Sequence, residues 1–303
     1  MILKEWSLLG KKVLTKAGFD NAFQEAKWLL AGALGRENSF ITLNPLYSPS
    51  SEEERKIQEW LKRRIKGEPL SRIKGVREFW SLPFHLNKHT LDPRPETELL
   101  VEGVLSWVGN HKDFPWRILD LGTGSGCLLI ALLHELKHAT GIGTDINEGA
   151  LSMAHSNATL NNVQARARFQ LGNWGDTLKG PFDIIVSNPP YIPLTKIKTL
   201  EKGVLNFDPP QALFGGEDGL DCYRILSREI KPLLSSQGLA VFEIGQNQRR
   251  EVEALFQTTG FEILFVLKDL AGIERAIGLK LLKQLPSEKK TGAVGGIKES
   301  VFP

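Results

Sequence analysis

From about residue 92 onward, apolar runs of strand length alternate with amphipathic stretches of helix length. Strands are expected near 117–121, 141–145, 166–171, 182–187, 238–244, 261–268 and 274–282. Helices are expected near 96–109, 126–138, 148–160, 220–234 and 247–259. This alternation leaves few folds open: a mostly parallel sheet with helices on both faces. The last two strands follow each other with no helix between, so they should pair antiparallel. In an open sheet of this kind, ligands bind in the crevice beyond the carboxyl ends of the strands. The loops that follow those strands are therefore where chemistry should be sought.

One such loop is Asn188-Pro189-Pro190-Tyr191, which follows the apolar run Phe182-Asp183-Ile184-Ile185-Val186-Ser187. Two prolines fix φ and carry no N–H, and the residue before a proline is held extended. The loop cannot become a helix, so its carbonyls stay presented. It offers the Asn188 side-chain oxygen and the Pro189 carbonyl as a pair of acceptors beside the Tyr191 ring. A planar –NH2 group, with two donors and a face, matches that set. The alternative is an ordinary Asn-Pro turn with a tyrosine packed on it.

A second loop is Gly122-Thr123-Gly124-Ser125-Gly126, between the strand Ile118-Leu119-Asp120-Leu121 and a helix starting near Cys127. Glycines there permit sharp dihedrals and let a ligand touch the backbone. The G-x-G-x-G spacing does not fit the dinucleotide fingerprint, which disfavours a nicotinamide oxidoreductase. Twenty-three residues after Gly122, Asp145 ends the next strand, where an acid accepts ribose hydroxyls. Together these point to a nucleoside-bearing cofactor without a pyrophosphate. Gly172-Asn173-Trp174 follows the third strand and by topology reaches the same crevice. Trp174 suits covering an adenine ring and Asn173 hydrogen-bonding its edge; equally, Trp174 suits a core or lid position.

His134-Glu135-Leu136-Lys137-His138 matches a zinc-peptidase signature. On a continuous helix, however, Leu129, Leu132, Leu133 and Leu136 would face the sheet and both histidines would face outward. No third ligand follows, and no metal is expected. The remaining histidines, His85, His89, His111 and His155, have no companions of a catalytic triad.

Ahead of the alternating region, residues 1–68 read as helical. Phe23, Lys27, Leu30 and Leu34 with Trp28 suggest one amphipathic stripe, stopped by Gly35. Ser50-Ser51-Glu52-Glu53-Glu54 reads as a capped helix start with acids in the first turn. Ile57, Trp60, Leu61 and Ile65 then recur at helical spacing up to Gly67. Residues 69–91 suggest a short hairpin. Net charge is +3 overall, yet residues 1–80 carry 15 Lys+Arg against 10 Asp+Glu. The stretch from Arg55 to Arg77 holds nine basic and two acidic residues, which suits an acidic partner or a solvated helix face.

At 41% apolar and 24% charged, the 303 residues describe an ordinary globular protein of about two domains. Cys127 and Cys222 make neither a disulfide framework nor a metal spacing, consistent with a reducing cytoplasm. Residues 1–10 lack the apolar core of a signal peptide, and Leu128–Leu133 is too short to span a membrane.

With both loops and Asp145 in place, the chain resembles the Rossmann-like S-adenosylmethionine-dependent methyltransferases. Within them it is similar to the HemK/PrmC family of peptide chain release factor glutamine methyltransferases. The resemblance runs from roughly residue 68 to 280. It rests on Asp92-Pro93-Arg94-Pro95-Glu96-Thr97-Glu98, Leu119 to Gly126, Val186 to Pro193, and Ala212-Leu213-Phe214-Gly215-Gly216-Glu217-Asp218-Gly219-Leu220. Phe79-Trp80 and Lys268-Asp269-Leu270-Ala271-Gly272 add to it. One departure is Asn173, where the family usually has Asp before the tryptophan.

The resemblance implies an α/β fold: a seven-stranded methyltransferase domain, mostly parallel with the last strand antiparallel, behind a small helical domain. It implies a helical substrate-recognition domain over 1–68, a hairpin linker over 69–91 and a catalytic domain over 92–283; residues 284–303, with Pro, Ser, Gly and Lys and no periodicity, read as a flexible tail. The implied cofactor is S-adenosylmethionine, held by Gly122, Thr123, Gly124, Ser125, Gly126, Asp145, Asn173, Trp174 and Asn188. The implied catalytic residues are Asn188, Pro189 and Tyr191, with Pro190 also against the substrate. The implied partner is a class-1 release factor, methylated on its Gly-Gly-Gln glutamine by a cytoplasmic monomer without direct nucleic-acid or membrane binding. Glu96, Glu98 and Arg94 would sit at the entrance, or serve only the start of a helix. The chief rivals are a methyltransferase for the exocyclic amine of a nucleic-acid base and one for a ribosomal-protein glutamine. A partner-binding protein that keeps only the fold is disfavoured by two intact loops.

Overall fold

The computed structural model describes residues 1–282, so the tail expected over 284–303 lies outside the described residues. The chain begins with a helical bundle: α1 (Leu3–Lys16), α2 (Ala22–Leu34), α3 (Asn38–Leu43), α4 (Ser51–Ile65) and α5 (Leu70–Lys74). Small residues set its packing. A Cβ at Gly10 would meet the Ala26 Cβ at 2.8 Å, so α1 and α2 approach closely. The buried face of α2 is accordingly Ala22, Ala26, Leu29, Leu30, Ala31 and Ala33. This shifts the expected stripe: Phe23 is exposed, with the Lys11 and Lys27 ammonium groups 5.8 and 4.8 Å from its ring centroid. The start of α4 is as expected. The Ser50 hydroxyl accepts from the Glu53 N–H at 3.3 Å, and the Glu53 carboxylate accepts from the Ser50 N–H at 2.7 Å.

Residues 70–74 form α5 rather than part of a hairpin, because Ile73 is buried in the bundle core and Gly75 (φ 72°) ends the turn. The hairpin itself is β1 (Val76–Phe79) and β2 (Leu82–His85). Its two turn residues, Trp80 and Ser81, both have left-handed φ, as a tight hairpin turn requires. The turn is fixed from outside: Glu98 accepts the Trp80 N–H at 2.7 Å and Glu135 accepts its indole N–H at 2.9 Å.

A 3-10 turn (Pro95–Thr97) then leads into α6 (Glu98–Val108) and the alternating region: β3 (Arg117–Leu121), α7 (Cys127–Glu135), β4 (Thr140–Asp145), α8 (Glu148–Leu160), β5 (Ala167–Leu171) and β6 (Phe182–Ser187). The chain continues with α9 (Lys202–Phe207), α10 (Asp221–Glu229), β7 (Leu234–Glu243), α11 (Arg249–Thr258), β8 (Phe261–Lys268) and β9 (Glu274–Leu281). The seven-stranded sheet has the order β5-β4-β3-β6-β7-β9-β8. Strands β3 to β7 run parallel; β9 lies between β7 and β8 and is antiparallel to both. Both faces are buried. Ile118, Ile184, Val186 and Val241 point into one core, and Leu119, Leu121, Ile185 and Phe242 into the other. The near-continuous apolar strands of the sequence follow from that double burial.

Helix α7 stops at Glu135, earlier than expected. The Arg166 guanidinium caps its end, donating to the carbonyls of Leu133, Leu136 and Ala139 at 2.6 to 2.9 Å. His138 therefore lies past the helix, and the two histidines do not share a helix face. Among the described residues, no cluster of His, Cys, Asp or Glu could hold a metal ion, and no helix is long and apolar enough to cross a membrane.

Four of the nine basic residues of the Arg55–Arg77 stretch form ion pairs within the chain. Arg63 pairs with Glu68, Arg64 with Glu25, Arg72 with Asp208 and Arg77 with Asp92. The third pair joins distant parts of the fold. Asp208, just after α9, accepts from Arg72 of α5 at 2.5 Å and from Arg94 at 2.6 Å, with only 2% of its side chain exposed. Removing one partner of a buried ion pair strands the others. Asp208→Ala should cost about 3–5 kcal/mol of stability. Urea unfolding measures this, and a loss under about 1 kcal/mol would show that the bundle is held by other contacts.

Candidate active site

The strand order reverses between β3 and β6, and the loops there part to leave a crevice at the carboxyl edge. The crevice holds a cavity of about 350 Å³. That lies in the range of small-ligand pockets.

Its floor is the glycine loop after β3. Gly122, Thr123, Gly124 and Ser125 line it. Gly122 and Gly124 have φ of 72° and 55°, so the turn needs them. Gly126 does not face the cavity. At φ 81° it starts α7 with its Cα against Ala154, where a Cβ would lie 3.2 Å from the Ala154 Cβ. Asn157, fully buried on α8, donates to the Ser125 carbonyl at 2.9 Å and brackets the His85 backbone. The hairpin is thereby bonded to the loop.

Asp145 closes β4 and lines the same cavity. One oxygen accepts from the Gly124 N–H and the other from the Asn147 N–H, each at 2.9 Å. Each oxygen keeps capacity for a further donor. Burial raises the pKa of this carboxyl. Trp174 has a left-handed backbone (φ 56°), and its carbonyl accepts from the Thr144 hydroxyl at 2.9 Å. A Cβ at Gly122 would meet its ring at 3.4 Å, so the indole forms a wall beside the loop. Asn173 lines the cavity rim and is exposed.

Asn188 and Pro190 line the opposite side. Pro189 is buried and, like Tyr191, is not part of the lining. The Tyr191 hydroxyl donates to Glu243 Oε1 at 2.9 Å. The neighbouring Glu243 carboxyl, with burial, pushes the Tyr191 hydroxyl well above its usual value. Tyr191 thus stays protonated and its hydroxyl is committed.

The structure adds residues that local sequence patterns did not single out. Thr97, in the 3-10 turn before α6, accepts from Asn188 Nδ2 at 3.1 Å and donates to Glu243 Oε2 at 2.6 Å. His89 lines the cavity near Asp145, its ring against Gly149. The segment from Pro209 to Phe214 closes the cavity on the side anchored by Asp208. Glu98 is occupied by the Trp80 N–H, so it serves the hairpin, and Arg94 serves the wall through Asp208. Two buried acids sit behind the site. Burial pushes Asp120 up to about 7 and Glu243 up to about 7.

Two sequence profiles match the chain: PrmC N-terminal domain over residues 5–75 and Methyltransferase small domain over residues 91–201. The fold and the site define a methyltransferase of the Rossmann-like class. Among curated proteins, the release factor glutamine methyltransferase of Rhodospirillum rubrum is 43% identical over 264 residues, covering 87% of this chain and 80% of the relative. That of Agrobacterium fabrum is 39% identical over 272 residues, covering 89% and 94%. The chain belongs to the release factor glutamine methyltransferase family. In fold alone it is similar to the human METTL16 catalytic domain solved with the MAT2A 3'UTR hairpin 6, at TM-score 0.54 and 14% identity, covering 68% of this chain and 78% of that one.

The buried Asp120 gives a test of the site's electrostatics. Its Oδ2 accepts from the Thr123 hydroxyl at 2.6 Å, while Oδ1 has no hydrogen-bond partner. Its folded pKa lies above the unfolded one, so folding takes up a proton between the two. The cost to stability therefore sets in as pH rises from about 4 to about 7 and is complete above that. Asp120→Asn should be more stable than the wild type at about pH 8 and lose most of that advantage by about pH 4. Thermal unfolding at both pH values measures it; an unchanged difference would mean that the carboxyl does not titrate there.

Proposed function

We propose that this chain transfers a methyl group from S-adenosylmethionine to the side-chain amide nitrogen of the Gly-Gly-Gln glutamine in class-1 peptide chain release factors. The observation that carries the proposal is Asn188: its amide lies on one cavity with the glycine loop and Asp145. The cavity also suits the cofactor. Bare glycine backbone on the floor, a carboxylate with spare capacity at Asp145 and a neighbouring acid with an unpartnered oxygen at Asp120 favour a cationic nucleoside over a pyrophosphate. Gly122, Thr123, Gly124 and Ser125 would take the amino-acid end, Asp145 the ribose, and Trp174 with Asn173 the adenine, with Gly126 shaping the turn.

S-adenosylmethionine supplies an electrophilic methyl on a sulfonium. The nucleophile is an amide nitrogen, whose lone pair is delocalised, so the task of the protein is placement. Asn188 Oδ1 and the Pro189 carbonyl would each accept one of the two amide N–H bonds. That aims the nitrogen along the line of the departing sulfur and favours the positive charge that builds on it. The methyl that the cofactor supplies would pass to this nitrogen, the N–C bond replacing the C–S bond and the displaced N–H proton passing to solvent. Pro190 lines the wall against the substrate, and Tyr191 braces the loop from behind through Glu243.

Residues 1–68 would be the part that recognises the release factor, 69–91 the link and 92–283 the catalytic part. Leu43 and Leu46, each 76% exposed, give the helical part apolar surface for a protein partner. A nucleic-acid base amine is a poorer match, because the arginines at 63, 64, 72 and 77 are tied up in internal pairs.

Labelled S-adenosylmethionine offered with release factor, and separately with RNA and DNA, tests the substrate. Label on the release factor, lost when its Gly-Gly-Gln glutamine is replaced, is the expected result; label on nucleic acid alone would overturn it. In the same assay Asn188→Ala should lower kcat by roughly 100-fold or more. An unchanged kcat would remove Asn188 from the chemistry. Asp145→Ala should weaken cofactor binding by about 10- to 100-fold, the worth of hydrogen bonds to a charged group. Calorimetric titration measures this, and wild-type affinity would place the ribose elsewhere.

A further inference from the structure

Glu243 is buried to 1% exposure, as deeply as Asp120, and no step above requires it. It ends β7, and its two oxygens each meet one hydroxyl: Oε1 meets Tyr191 at 2.9 Å and Oε2 meets Thr97 at 2.6 Å. Its backbone carbonyl accepts from the Tyr223 hydroxyl at 2.7 Å, which fixes the strand end from α10. The Thr97 hydroxyl in turn lies 3.1 Å from the Asn188 amide.

With the Glu243 carboxyl ionised, as it is above its pKa of about 7, counting protons along this chain of groups has one outcome. Thr97 has a single O–H. A carboxylate only accepts, so that proton goes to Glu243 Oε2. Thr97 can then only accept from its other neighbour. The Asn188 atom that faces it must be the –NH2, and the amide oxygen must face the other way. The two ends of an asparagine amide have nearly the same shape, so shape alone does not choose between them. Here the choice is made two residues away, by a buried charge. Were the amide reversed, it would present –NH2 to the –NH2 of a substrate, and neither could accept.

We propose that Glu243, acting through Thr97, is a positioning residue that fixes the amide orientation of Asn188 and so makes it a hydrogen-bond acceptor for the substrate amide. The same carboxylate takes the Tyr191 proton, which sets the far end of the loop. Three elements adjacent in space converge on it: the turn before α6, the loop after β6 and the end of β7. This inference rests on the reading of Asn188 as the group that receives the substrate amide.

The test compares Glu243→Gln, Thr97→Val and Thr97→Ser with the wild type on release factor. Thr97→Val keeps the shape and removes the hydroxyl; Thr97→Ser keeps the hydroxyl. Glu243→Gln puts a donor where two hydroxyls need acceptors. Thr97→Val and Glu243→Gln should each lower kcat by roughly 10- to 100-fold, the scale of a misplaced contact to the reacting group. The KM for release factor and the calorimetric Kd for S-adenosylmethionine should stay within about threefold, since the changes leave the glycine loop, Asp145 and the helical bundle in place. Thr97→Ser should keep kcat within about threefold of the wild type. Wild-type kcat in Thr97→Val or Glu243→Gln would overturn the proposal. So would cofactor affinity that falls in step with kcat, because that marks a collapsed pocket. A Thr97→Ser enzyme as slow as Thr97→Val would assign the effect to the missing methyl and overturn it equally. Failure of the wild type to label the release factor would instead sink the substrate reading, which keeps the two apart.

Discussion

Asp208 is the point on which the layout of the molecule turns. One carboxylate, almost fully out of water, receives a guanidinium from α5 and another from the segment before α6. Arg72 also donates to the carbonyls of Asn87 and Thr90, each at 2.5 Å. Three stretches of the sequence therefore meet at a single ion cluster: the end of the helical bundle, the chain from Asn87 to Arg94 after the hairpin, and the lead into the cavity wall. A buried ion pair is no bargain in free energy, because desolvation offsets most of the attraction. What it does supply is geometry. Hydrophobic contacts are non-directional, whereas two guanidinium groups, each donating to a different oxygen of one carboxylate, fix distance and angle. An enzyme that must present a loop of a large protein substrate to a small cavity needs that relation held.

The acids of the site follow a related logic. Asp120, Asp145 and Glu243 all have raised pKa values, with burial as the first cause, so each opposes folding in its charged form. A sheet selected only for stability would carry apolar or amide residues there. The cost makes sense if the charges serve the ligand: Asp120 and Asp145 beside a cationic cofactor, Glu243 behind the substrate loop. Places where local rules are broken are those where function is expected.

Much of this was legible in the chain, for a physical reason. The strands read as strands because both sheet faces are buried, which turns Ile184-Ile185-Val186 and its like into unbroken apolar runs. The glycine loop, Asp145 and Asn188 are legible because backbone conformation and strand-end position are local properties. The capping box at Ser50 is local too. What was not legible depends on partners distant in sequence. The end of α7 is set by Arg166, thirty residues on, so the two histidines looked as if they shared a helix. The buried face of α2 depends on Gly10 of α1, so Phe23 looked like core. Thr97 and Glu243 lie 146 residues apart, and neither position announces the other. Thr97 sits within the Pro-Arg-Pro-Glu-Thr-Glu segment, but the adjacent acids drew the eye. The one sequence signal for Glu243 is a lone acid closing the apolar run from Leu239 to Phe242.

The acceptor pair at Asn188 does not by itself name a substrate, since a glutamine amide and a base amine present the same two donors. The sheet does not name one either: a fold shared, at 14% identity, with a catalytic domain solved on a 3'UTR hairpin leaves the question where it was. Discrimination has to come from what surrounds the pair. A nucleic-acid substrate calls for a surface of free cations to neutralise phosphates. Here four of the five arginines in the densest basic stretch pair with Glu25, Glu68, Asp92 and Asp208, and so serve to hold the bundle together and to the segments that follow it. The same side chains cannot do both. Exposed leucines on the bundle and a wall held rigidly over the cavity suit a folded protein that inserts one side chain. The residues that fix the architecture thus also narrow the substrate.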